Sequence, residues 1–98
     1  MFLLLSRYVK PLDEVDAHLG AHREFLDRQY AAGHFIVSGP LEPRSGGVIV
    51  TVDMPRAQLD AIMQEDPFFR EGVSEYQVLE FSATKRAAGF MAALEGNR

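Results

Sequence analysis

Four short segments of this chain are apolar at successive positions, where a half-exposed strand would alternate: FLLL at Phe2–Leu5, FIV at Phe35–Val37, VIV at Val48–Val50, and Val78-Leu79. Side chains along a strand point to opposite faces of a sheet in turn. A strand apolar at neighbouring positions therefore presents apolar surface on both faces, and both need cover. With 98 residues the chain can build one core and no second. Only two segments carry a long helical period, and both are needed on one face of the sheet. The simplest cover for the other face is the sheet of a second copy, so the pattern predicts a homodimer through sheet stacking. The competing arrangement is a monomer whose C-terminal tail folds over the sheet.

The order of elements follows from the changes of period. Phe2 to Val9 reads as a strand stopped at Lys10-Pro11. Leu12, Val15, Leu19, Phe25, Leu26 and Tyr30 then recur at helical spacing, with Asp13, Glu14 and Asp16 in the first turn, Asp13 as N-cap and Gly33 as terminator. Gly20 falls inside this helix, where it is about 1 kcal/mol worse than alanine; close approach of another backbone is one explanation. His34 to Leu41 and Gly47 to Val52 read as a hairpin around the turn-rich EPRSGG. Pro55 opens a second helix carrying Leu59, Ile62 and Met63, which ends before Pro67. Tyr76 to Phe81 is the last strand. The order β-α-β-β-α-β predicts an α+β, ferredoxin-like domain over residues 1–82. Residues 83–98 form a C-terminal tail in which Phe90, Met91 and Leu94 suggest a short helix weakened by Gly89.

Several classes of function find no support. The net charge is −4 and the ten Lys and Arg are scattered, which argues against nucleic acid as a partner. The chain has no cysteine, so disulfides, thiolate metal sites and cysteine nucleophiles are excluded. The opening FLLL is too short for a signal sequence or a membrane span, and a cytoplasmic protein with no membrane partner is expected. The serines lack a nucleophile elbow, and EPRSGGV leads into a strand where a phosphate loop would lead into a helix. No cofactor is expected. His18 and His22 stand at i, i+4, the spacing of two zinc ligands, but the glutamate of HExxH is missing and no third ligand is evident. No metal is expected either.

His22 is the histidine with chemical promise. It lies three residues from both Leu19 and Phe25, on or beside the apolar stripe of the first helix, and needs a partner there. The plain reading is a satisfied core histidine. The sharper one involves Asp66 in QEDPFF, at the end of the second helix, which packs on the same face. An aspartate that accepts from one imidazole nitrogen fixes the tautomer and frees the other for proton transfer. Asp66 could equally cap a short turn over Pro67–Arg70. Spacing alone leaves both open.

These features together resemble the YCII-related (YciI-like) family over about residues 2 to 82. The resemblance rests on His22 in the first helix, on Ser38-Gly39-Pro40 ending the second strand, and on Asp66-Pro67-Phe68 with Gly72 following. It implies a ferredoxin-like fold dimerised as an α/β barrel, and an active site built on His22 and Asp66. Some relatives are linked to removal of chloride from hydroxylated rings, which does not transfer on fold alone. A cofactor-independent enzyme is therefore expected. It would act on a small ring-containing molecule by isomerisation, elimination or hydrolysis, with Ser38, Gly39, Tyr8, Arg7 and Phe68 around the substrate and Phe69 as further wall. A non-catalytic small-molecule-binding or regulatory dimer, in which the pair is structural, is the alternative. A cofactor-free monooxygenase of the same fold fits the motifs less well.

Overall fold

The computed structural model describes residues 1–90. Four strands, β1 (Phe2–Tyr8), β2 (Phe35–Pro40), β3 (Gly46–Thr51) and β4 (Ser74–Glu80), form one antiparallel sheet in the order β2-β3-β1-β4. Four helices accompany them: α1 (Leu12–Ala17), α2 (Leu19–Ala31), α3 (Arg56–Met63) and α4 (Pro67–Arg70). This is the α+β, ferredoxin-like arrangement. None of the described helices is long and apolar enough to cross a membrane.

Alternation along β1 divides the sheet into its two faces. Phe2 and Leu4 point inward and pack with Phe25 of α2, Leu59, Ile62 and Met63 of α3, and Phe35 and Ile49 of the hairpin. Each such side chain, buried to within a few per cent, stabilises the fold by about 1.5–3 kcal/mol. Further along the same face, Ser6 and Tyr8 continue the inward row, and the packing changes character. There a second cluster of Val15, Phe68 and Val73, with Tyr8 and Leu19 against it, closes the end of the helical layer.

The outward face carries a row that crosses all four strands. Val37 pairs with Val50, Val50 with Leu3, and Leu3 with Leu79. Val37 and Leu79 are 54% and 45% exposed. The row beyond it, Val48, Leu5 and Gln77, is mixed, and the next ends in the Arg7–Glu75 ion pair. The two-faced apolar pattern is thus real, and it grades to charge toward one end of the sheet.

Some boundaries depart from the sequence pattern. The first helix is two helices. His18 sits at φ −104°, ψ 1°, with its N–H bonded to Val15 O three residues back, and the axis restarts at Leu19. Gly20 therefore belongs to the first turn of α2, and a β-carbon there would meet nothing within 4 Å. The close approach suggested for Gly20 is absent. Asp13 is not the N-cap; Pro11 holds that position, and its carbonyl receives the N–H groups of Glu14 and Val15. The last strand begins at Ser74, two residues ahead of the apolar signal, because Glu75 faces outward and pairs with Arg7. Close backbone approach does occur at Gly46, where a β-carbon would lie 1.9 Å from Ser6 O. Of the residues proposed for a C-terminal helix, Met91 and Leu94 lie outside the described residues.

Candidate functional site

Helix α3 stops at Met63, and a short turn delivers Asp66 to the N-cap of α4. Pro67 suits the first helical position because its missing N–H has no partner to lose. The Asp66 side chain accepts from Phe68 N–H at 2.9 Å, the ordinary capping bond. The same oxygen, Oδ1, lies 2.8 Å from His22 Nδ1. The other oxygen, Oδ2, accepts from the Tyr76 hydroxyl, reaching in from β4. Asp66 is completely buried, and three donors from three elements offset the loss of its water. The two sequence readings of Asp66, cap and histidine partner, are both true of one carboxylate.

With the Asp66 oxygen as acceptor, the hydrogen in the His22 contact sits on Nδ1. The imidazole is stacked on Phe68, with ring centroids 3.9 Å apart and planes 4° from parallel. Packing against Phe68 and a hydrogen bond at Nδ1 together fix the ring. Nε2 has no partner among the described residues. Burial is the largest influence on the Tyr76 phenol, followed by the Asp66 charge, and both push its pKa well above the usual tyrosine value. Tyr76 is therefore a permanent donor to Asp66 at any ordinary pH.

His22 lines a cavity of about 400 Å³ between α2 and the inward face of the sheet. Ser6, Tyr8 and Ser38 contribute to its floor, and Phe68 and Tyr76 to the end nearest the pair. The floor hydroxyls are largely engaged. Ser38 Oγ is 2.6 Å from the Tyr30 hydroxyl, and Ser6 Oγ accepts from Gly47 N–H at 2.8 Å. Gly39 lines the cavity as well, but a β-carbon there would meet nothing within 4 Å.

Of the residues singled out in the sequence, the structure gathers His22, Asp66, Tyr8, Ser38, Gly39 and Phe68 at this end of the molecule. It does not bring Arg7 there. Arg7 sits an odd number of residues from Tyr8, so it faces the opposite side of the sheet, bonded to Glu75 at 2.6 Å. Phe69 is 39% exposed and is not part of the cavity wall. His18 stands at the helix junction, and no group of three or more potential ligands forms among the described residues.

Three residues at the site escaped sequence reasoning. Tyr76 was visible only as a strand residue, although an inward tyrosine carries a hydroxyl that needs a partner. Arg23 follows His22 directly and lines the cavity. Arg44, in the turn-rich EPRSGG, also lines it, donating to Asp16 Oδ1 at 2.6 Å with its guanidinium 5.6 Å from the centroid of the Tyr8 ring. The hydrogen bond that Arg44 donates to the Asp16 carboxylate is the first cause that raises the pKa of its guanidinium further. No local signal in a turn marks which arginine will reach a cavity.

A family model described as the YCII-related domain matches residues 1–82. No curated protein matches the chain in sequence. Among solved structures, the fold is similar to that of 5-chloro-2-hydroxyhydroquinone dehydrochlorinase (TftG) from Burkholderia phenoliruptrix AC1100, in complex with 2,5-dihydroxybenzoquinone. The TM-score is 0.68 at 18% sequence identity, over 84% of this chain and 94% of that one. At that identity the likeness is one of fold.

Proposed function

We propose that this chain, which belongs to the YCII-related domain family, is a cofactor-independent enzyme. In this reading it performs general acid–base chemistry on a small ring-containing molecule through His22, oriented by Asp66. The observation that carries the proposal is the His22 imidazole, held at Nδ1 by a buried carboxylate at 2.8 Å while the ring lines a cavity of about 400 Å³.

With the hydrogen on Nδ1, the Nε2 lone pair is the basic site. It takes a proton from an acidic O–H or C–H of the bound ring, and the imidazolium so formed shares its Nδ1 hydrogen with Asp66. The electron pair left behind shifts within the ring system. The proton then returns to a neighbouring carbon in an isomerisation, or to a departing group in an elimination; in a hydrolysis Nε2 instead takes the proton of a water molecule whose oxygen bonds to the ring as the departing group leaves with that proton. Asp66 positions the base and does not meet substrate. Proton transfer of this kind contributes about 10²–10⁴ in rate, and fixed positioning in the cavity adds to it. The similar solved protein is by its name a dehydrochlorinase of a hydroxylated ring and was solved with a quinone. That supports a flat ring as ligand here, as does the apolar wall offered by Phe68.

The same proposal includes a homodimer, with the row Val37, Val50, Leu3 and Leu79 packed on its counterpart in a second copy. Two sheets joined in this way make the dimeric α/β barrel.

One observation favours a second reading. Asp66 already has a complete structural task, joining α4, α2 and β4. In a non-catalytic binding dimer the pair would be a tie and the cavity a ligand pocket. A screen of hydroxylated aromatics and lactones with the wild type and His22→Ala separates the two. Turnover that His22→Ala abolishes while the protein stays folded supports the enzyme. Binding without turnover, and a His22→Ala variant that loses mainly stability, supports the tie.

A further inference from the structure

The charged residues on the cavity wall are unevenly distributed. Its lining holds two arginines, Arg23 and Arg44, and no acidic side chain. This occurs in a chain whose net charge is −4. Both arginines are solvent-exposed and both line the cavity, so they stand at its rim, while His22 is mostly buried deeper in.

Arg44 is not a loose surface charge. Asp16 takes one hydrogen bond from Nη2 at 2.6 Å, and the Tyr8 ring lies beneath the guanidinium at 5.6 Å. A guanidinium has five N–H donors, so one bond to Asp16 leaves most of the fork free while fixing its direction. Arg23 makes no ion pair among the described residues. Asp16 balances one of the two cations, and a single positive charge is left at the rim. The hydroxyls of Ser6, Ser38 and Tyr76 are already engaged with Gly47, Tyr30 and Asp66, so they offer little to a polar ligand.

We infer that the ligand of this cavity is a monoanionic ring, whose carboxylate or phenolate oxygen is held at the rim by Arg44 and Arg23 while its other end reaches His22. The inference rests on the reading of this cavity as a small-molecule site and names the class of molecule that enters it. The arrangement separates two tasks. The anion is recognised at the rim, where charge-assisted hydrogen bonds are strong and directional. The exchangeable proton is presented at depth, next to Nε2. A hydroxylated aromatic carboxylate or a ring carboxylic acid with an enolisable carbon fits both ends. So does a polyhydroxylated ring ionised at one oxygen.

The test is a binding comparison between matched anionic and neutral rings. Benzoate is set against benzamide, and 4-nitrophenolate, at a pH where it is ionised, against 4-nitroanisole. Amide shifts in a two-dimensional NMR titration follow Phe68 and His22. The expected result is that the anion of at least one pair binds about tenfold more tightly than its neutral partner, and that added salt narrows the gap. Which pair shows it distinguishes carboxylate from phenolate. Arg44→Gln and Arg23→Gln each reduce the preference, Arg44→Lys retains part of it, and Arg56→Gln, at a residue that is not among those lining the cavity and with the same change in charge, leaves it intact. Thermal melts check folding, and if Arg44→Gln is unfolded the Arg23→Gln and wild-type comparisons still decide. Equal binding of neutral and anionic rings, no saturable binding of any probe, or a preference that survives both glutamine variants overturns the inference. The readout is binding, so an anion preference in a protein that turns nothing over leaves this inference standing and sinks the catalytic one. Turnover of neutral rings without anion preference does the reverse.

Discussion

The His22 imidazole lies flat on the Phe68 ring, 3.9 Å from it between centroids. Phe68 is two residues from Asp66, and its own N–H is bonded to the Asp66 oxygen that faces His22. The stretch Asp66-Pro67-Phe68 thus supplies the histidine with an acceptor at its edge and an apolar plate beneath its face. Neither contact alone would fix both the position and the rotation of the ring.

Replacing Asp66 tests this arrangement while separating its parts. Asparagine is nearly as good an N-cap as aspartate, so Asp66→Asn keeps α4 but offers His22 a poorer acceptor. In a turnover assay on any substrate found, Asp66→Asn should lower kcat by about 10²–10⁴. Asp66→Ala should lose a further ~0.5–2 kcal/mol of stability from the cap, read by urea unfolding.

Tyr76→Phe removes the donor to Asp66 Oδ2 and leaves a buried oxygen short of a partner. The expected loss is about 1–3 kcal/mol in the same unfolding experiment. A variant as stable as wild type would mean that the oxygen finds another donor.

The pH dependence of stability has a sign fixed by the same phenol. Tyr76 has its folded-state pKa raised above the usual 10.0, chiefly by burial. In the unfolded chain the phenol ionises near that ordinary value. Its contribution is therefore complete below pH 10 and is lost progressively as the pH rises above it. Unfolding free energies of wild type and Tyr76→Phe should converge as pH is raised above that value. Parallel curves would contradict the assignment.

Two strand glycines should respond in opposite ways. Gly46→Ala places a β-carbon 1.9 Å from the Ser6 carbonyl oxygen, backbone that cannot step aside, and should fail to fold or lose several kcal/mol. Gly39→Ala meets nothing within 4 Å and should stay within about 0.5 kcal/mol of wild type in a thermal melt.

The outward row is tested at its exposed end. Leu79, 45% exposed and paired with Leu3, can be changed to lysine without entering the core. In a homodimer through sheet stacking, Leu79→Lys should move the protein toward monomer in sedimentation velocity. A wild type that already sediments as a monomer at micromolar concentration would remove the dimer from the proposal.

The order of strands and long helices, the hairpin and the apolar character of both sheet faces could be read from the chain because each is a local or periodic property. Helix ends were less legible. The break at His18 leaves the apolar period of Leu12 to Tyr30 intact, so no pattern marks it. Asp66 could be read as a cap or as a partner of His22, since both rest on residue type at a helix end. That it is both at once depends on α2 lying beside α4.

What the sequence by itself determined was membership: which segments are strands, that their two faces are both apolar, and that a histidine and an aspartate stood where apolar surface would demand partners for them. The tertiary structure decided adjacency. It chose Tyr76 as the third partner of Asp66. It sent Arg7 to the far face, and it brought Arg44 from a turn to the cavity rim. The reason is physical. Period and propensity act over a few residues, whereas Tyr76, ten residues from Asp66, and Arg44, 28 from Asp16, meet their partners only once the sheet register and helix packing are set.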